Sequence, residues 1–127
     1  MGADSTVDGA AAVRVSCSLL VPHDLLQAFP GPVDVRVSIK DVTMADESST
    51  TVAETTTEAR SPGDVVGPFE LDTELEAGRQ YAVYAHVDRS GDGTVSVGDL
   101  INTVRIPLKA GPAGDRVHVE VPVREVD

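Results

Sequence analysis

The chain is expected to fold as an all-β protein, an antiparallel sandwich of two sheets built from about seven strands. Three observations lead there. Apolar residues recur at every second position in four separate runs, turn-forming residues fall between those runs, and no segment is amphipathic over a length that could form a crossover helix.

The first run is Val13, Val15, Cys17 and Leu19, alternating with Arg14, Ser16 and Ser18. Side chains on a strand point alternately to its two faces, so this pattern puts one face on a core and the other in water. Val33, Val35, Val37 and Ile39 repeat it. Tyr81, Val83, Ala85 and Val87 make a third run, and Val117, Val119, Val121 and Val123 a fourth. Weaker strands are expected over the Thr-rich residues 51–58, over 65–71 ending in Phe69 and Leu71, and over 100–108 around Asn102. Pro30-Gly31-Pro32, Ser61-Pro62-Gly63-Asp64, Ala77-Gly78 and Gly111-Pro112-Ala113-Gly114 supply the turns. Only residues 23–29 and 72–78 read as briefly helical. No linker or repeat divides the chain, which gives a loose tail over 1–10 and one domain over 11–127, with the acidic stretch 43–50 also loose.

At 127 residues, folding removes about two-thirds of the open chain's surface, enough for one real core. With four aromatics and no Trp, that core is aliphatic, and stacking platforms for bases are missing. Twenty-one acidic against ten basic residues leave a net charge of −11. Such a field repels phosphate backbones and anionic headgroups, so nucleic acid is excluded as a partner and no stretch is apolar enough for membrane insertion. It attracts cations and basic protein surfaces. The lone cysteine, Cys17, can form no internal disulfide and is expected to be a small buried thiol. The first ten residues show no basic and apolar signal peptide, and Val13-Arg14-Val15-Ser16 before Cys17 is a strand pattern instead of a lipobox. The compartment is therefore open, cytoplasmic by default and envelope or secreted if the chain is processed.

One segment carries ligand chemistry. Counted from Asp88 as position 1, the stretch Asp88–Asp99 has oxygen-bearing side chains at positions 1, 3, 5, 9 and 12 and Gly93 at position 6, the spacing of an EF-hand calcium loop. A short segment can wrap a hard cation only if alternate residues turn inward and position 6 bends with positive φ, which glycine allows. Asp88, Ser90 and Asp92 would offer side-chain oxygens, Thr94 its carbonyl, Ser96 a direct or water-bridged contact, and Asp99 the closing carboxylate. Val95 would pack the loop onto its neighbours. Asp in place of Glu at position 12 and Ser at position 3 weaken the match, and strands flank the loop where an EF-hand has helices. The plainer reading of the same residues is a hairpin turn. Ca²⁺ is the expected ion.

A catalytic motif is not apparent. Of His23, His86 and His118, the last two fall opposite the valines, where a surface imidazole needs no function. Elbow, phosphate-loop and zinc-site spacings are missing. The acid-rich runs 41–58 and 64–76 are solvated faces, or else a patch for a basic partner.

Val35-Arg36-Val37-Ser38-Ile39-Lys40-Asp41-Val42-Thr43-Met44-Ala45-Asp46, followed by Val52-Ala53-Glu54, Pro68-Phe69-Glu70-Leu71 and Gly78-Arg79-Gln80-Tyr81-Ala82-Val83, resembles the YbaY/YscW-like family of bacterial envelope proteins. The resemblance covers most of residues 11–124. It implies a small immunoglobulin-like β-sandwich, often an exported lipoprotein, some members acting as chaperones or pilotins for secretion-channel subunits. It implies a binding module and no enzyme. The calcium-type loop is not part of the resemblance. Two functions follow: a non-enzymatic calcium-binding sandwich in which the ion orders the 88–99 loop, and, as the alternative, a metal-independent chaperone or adaptor that holds a protein partner.

Overall fold

In the computed structural model, described here for residues 10–27, 31–43, 49–102, 104–108 and 115–127, the alternating runs are strands. The order is β1 (Ala10–Leu20), α1 (His23–Gln27), β2 (Val33–Asp41), β3 (Thr50–Ala59), α2 (Pro62–Val66), β4 (Phe69–Glu76), β5 (Tyr81–Asp88), β6 (Leu100–Ile101), β7 (Ile106–Leu108), β8 (Asp115–Pro122) and β9 (Arg124–Glu125). The expected loose segments, 1–10 and 43–50, lie largely outside the described residues.

Two sheets face each other, as the sandwich expectation requires. The smaller has the order β4-β1-β8 and the larger β3-β2-β5-β6-β9, with β7 also on β5. Between them Val15, Cys17 and Leu19 of β1 meet Val35, Val37 and Ile39 of β2 and Val83 and Val87 of β5, all essentially without solvent contact. At about 25 cal/mol per Å² of apolar surface, aliphatic burial of this kind drives the two faces together without aromatic anchors.

Three details differ from the sequence expectation. First, β1 and β8 pair in parallel, Val15 opposite Val117 and Leu19 opposite Val121, so the sandwich is antiparallel except at this ladder. Alternation assigns faces and says nothing about strand direction.

Second, residues 72–78 are not helical. Phe69–Glu76 is strand β4, antiparallel to β1, with Phe69, Leu71 and Leu75 buried and Glu70, Asp72, Glu74 and Glu76 exposed. Glu and Leu favour helix, but pairing with β1 overrides that preference. The strand expected from residue 65 starts only at Phe69, because Ser61 caps α2, its side chain accepting from Asp64 N–H, with Pro62 in the first turn.

Third, 100–108 is two short strands, bringing the described strands to nine. At the break, Asn102 Oδ1 accepts from Ala85 N–H at 2.9 Å and Asn102 Nδ2 donates to the carbonyl of Val83. A side-chain amide thus stands in where the β5 backbone would otherwise lose its partners.

Candidate functional site

The Asp88–Asp99 loop leaves the end of β5 and returns into β6. It is tied at its far end to the C-terminal segment: Gly98 N–H donates to the Val126 carbonyl at 2.9 Å and Val126 N–H to the Asp99 carbonyl at 2.8 Å. Gly93 takes a φ of 78°, the bend expected at position 6.

Three of the six ligand candidates converge as acceptors. Asp88 Oδ1 accepts from Gly91 N–H at 2.9 Å and Oδ2 from Gly93 N–H at 2.8 Å. Asp92 Oδ1 accepts from Thr94 N–H at 3.1 Å and from the Ser90 hydroxyl at 2.8 Å, and its other oxygen from the Ser96 hydroxyl. Asp99 has no solvent contact and collects the most donors: Arg89 and Ser90 N–H on Oδ1, both at 2.9 Å, and His86 Nε2 at 2.8 Å and Ser96 N–H at 3.0 Å on Oδ2. The Ser90 hydroxyl lies within reach of all three carboxylates, so its single proton serves one at a time. Thr94 contributes a backbone N–H.

These bonds set the electrostatics. The Ser96 and Ser90 hydroxyls and Thr94 N–H hold the Asp92 carboxyl down to about 2. Burial pushes Asp99 up, and the donors from His86, Ser90 and Ser96 outweigh it, leaving its pKa below the ordinary value. Chemically the loop is an Asx-type turn whose carboxylates cap their own backbone N–H groups.

Two residues behave unlike their expectation. His86 is on the face opposite the valines, yet the loop folds over it and leaves it 9% exposed against Asp99. His86, Asp88 and Asp99 bring a ring nitrogen and two carboxylate oxygens within 4.8 Å of one another. The sequence hint was position 12 lying thirteen residues after a strand histidine, a relation that only the return of the loop makes meaningful. Val95, expected to pack the loop down, is 55% exposed. His118 is exposed as expected, and Cys17 is fully buried, its thiol pushed up to about 11 by burial.

A second feature lies where the two sheets end unequally. An open cleft of ≈ 420 Å³ runs between the end of β3 and the start of β4, bounded by Thr55, Thr57, Glu58, Asp64, Phe69 and Glu70. Thr55 and Thr57 sit on the inner face of the large sheet beside Val37 and Val35. Those valines are fully buried, but the threonines, on the edge strand of the large sheet and lining the cleft, keep solvent contact.

Two facing sheets define a β-sandwich, the class of fold to which the chain belongs. The sequence narrows the class to a family: residues 6–121 match the family model described as type III secretion system lipoprotein chaperone (YscW), and the chain belongs to that family. Among solved structures, it is similar to an alternative pilotin from the type II secretion system of Vibrio cholerae. The TM-score is 0.63 and the sequence identity 20%, over 93% of this chain and 98% of that one, which is a likeness of fold. No curated protein matches the sequence.

The family corrects the functional expectation. Calcium binding through the 88–99 loop is replaced as the reading of function by the chaperone class, and no comparison supports an EF-hand loop. In the structure the oxygens of Asp88, Asp92 and Asp99 are engaged by donors of the same loop and by His86. No helix among the described residues is long and apolar enough to cross a membrane.

Proposed function

We propose that this protein is a non-catalytic chaperone of the pilotin kind, which holds a subunit of a secretion system through its sheet surface. The observation that carries the reading is the family match across residues 6–121. The fold shared with a type II secretion pilotin supports it. The net charge of −11 favours a client with a basic surface, since opposite potentials steer encounter and suppress wrong partners. The family description as lipoprotein supports work in the cell envelope.

The test is co-expression with the channel-forming subunit of a secretion system from the same organism. Co-purification of the two, with longer survival of the subunit against added protease, is the expected result. A subunit that neither co-purifies nor gains protease resistance overturns the reading.

A further inference from the structure

Among the described residues the strand position beside β4, on the side away from β1, is vacant. Among these residues the small sheet ends at β4, which pairs with β1 alone. The direction of its free backbone groups follows from Glu76: its N–H turns to the Tyr81 hydroxyl at 2.9 Å and its carbonyl accepts from Arg79 N–H, both away from β1. Backbone groups of alternate residues on a strand point the same way, so the N–H and C=O of Glu70, Asp72 and Glu74 also face outward. Tyr81 and the turn close this edge at Glu76. Among the described residues no strand is hydrogen-bonded to the other three positions, and β3 lies across the cleft from them.

Both faces of the vacancy have a chemistry. On its inner side lie Thr55 and Thr57, inner-face residues that line the cleft and keep solvent contact. On its outer side Glu70, Asp72 and Glu74 stand at every second position. Along this seam, with Glu58 and Asp64 of the cleft, five carboxylates face two guanidinium groups, Arg14 on Asp72 and Glu70 and Arg60 on Glu58. The opposite edge of the sheet, β8, carries Arg116, His118 and Glu120, which are mixed in sign.

We propose that the free edge of β4 accepts an extended, basic segment of the client as a fourth strand of the small sheet. Lysine or arginine at alternate positions of that segment lies beside Glu70, Asp72 and Glu74, and the intervening side chains cover Thr55 and Thr57. Main-chain hydrogen bonds give the affinity and cross-strand charge pairs the selectivity. A second copy of this chain is the poorer occupant, because edge-to-edge pairing of β4 sets its carboxylates against their counterparts. The inference rests on the chaperone reading and specifies where and how the client binds.

The probe is a fluorescein-labelled nine-residue peptide alternating Lys and Thr, compared with one in which Glu replaces Lys and one in which Pro replaces alternate Thr. The lysine peptide is expected to bind and to slow hydrogen exchange at the Asp72 and Glu74 amides by about tenfold. The other two peptides leave those amides unprotected. Glu74→Lys is expected to weaken binding about fivefold, whereas Glu120→Lys, the same charge change on β8, leaves it within about twofold.

Absence of protection at Asp72 and Glu74, equal binding of the proline peptide, or equal weakening by the two variants overturns the proposal. So does protection of these amides in a dimer without peptide, since a second copy then holds the edge. The co-expression test separates the two claims: a client retained at full strength by the Glu74→Lys variant removes strand addition and leaves the chaperone reading standing.

Discussion

His86 Nε2 lies 2.8 Å from the Asp99 carboxylate, joining the outer face of β5 to the last residue of the loop that follows it. The carboxylate has no solvent contact and accepts from three backbone N–H groups as well. One side chain therefore holds both ends of a twelve-residue loop and the histidine beneath it. That makes Asp99 an organising residue of the loop.

Asp99→Ala should accordingly destabilise the protein by about 3 kcal/mol, because buried donors lose their acceptor and pay full desolvation. Urea denaturation is expected to show a lower midpoint with an unchanged slope. Asp99→Asn, which keeps an acceptor oxygen, should cost less. A midpoint for the alanine variant equal to that of the wild type would remove Asp99 from this role.

Acid should weaken the fold through two depressed carboxyls. The Arg79 guanidinium, with the Thr43 hydroxyl and N–H, holds Asp41 down to about 2, and hydroxyls from Ser96 and Ser90 do the same for Asp92. In the unfolded chain an Asp titrates near 3.9, about two units higher. The stabilisation is therefore complete above pH ~4 and is lost as the pH falls through about 2. Thermal melts from pH 5 to pH 2 should show this decline, and Asp41→Asn should lower the melting temperature at pH 7 while flattening the acid limb. Parallel limbs for variant and wild type would show that Asp41 contributes nothing to it.

Leu75 and Glu74 are neighbours with opposite fates on β4, the first fully buried and the second exposed. Leu75→Ala should cost about 3 kcal/mol through lost burial and the cavity it leaves. Glu74→Ala should stay within about 0.5 kcal/mol. Guanidinium melts decide it, and similar costs at the two positions would contradict the strand assignment of a segment whose residues favour helix.

Burial lifts the Cys17 thiol to about 11 and removes it from solvent. The thiolate is the reactive species, so at pH 8 the native protein should not react with Ellman's reagent, and denaturant should release one thiol per chain. Rapid reaction without denaturant would place Cys17 outside the core.

The period of two in four runs determined, by itself, which side chains of β1, β2 and β5 face the core, because alternation is a property of any strand. The turn residues around Pro62 and Gly78 marked the breaks after β3 and between β4 and β5. The family resemblance was legible too, carried by residues in and around β2, β3, β4 and β5. Tertiary structure decided the rest. The parallel match of β1 with β8 depends on two segments nearly a hundred residues apart in sequence. The strand state of Phe69–Glu76 depends on β1 overriding local preference. The spacing Asp88 to Asp99 was legible as a set of oxygens, but spacing cannot say what those oxygens face. In the fold they face N–H groups of the same loop and His86. The vacancy beside β4 among the described residues could not be read at all, since an edge exists only once strand partners are chosen.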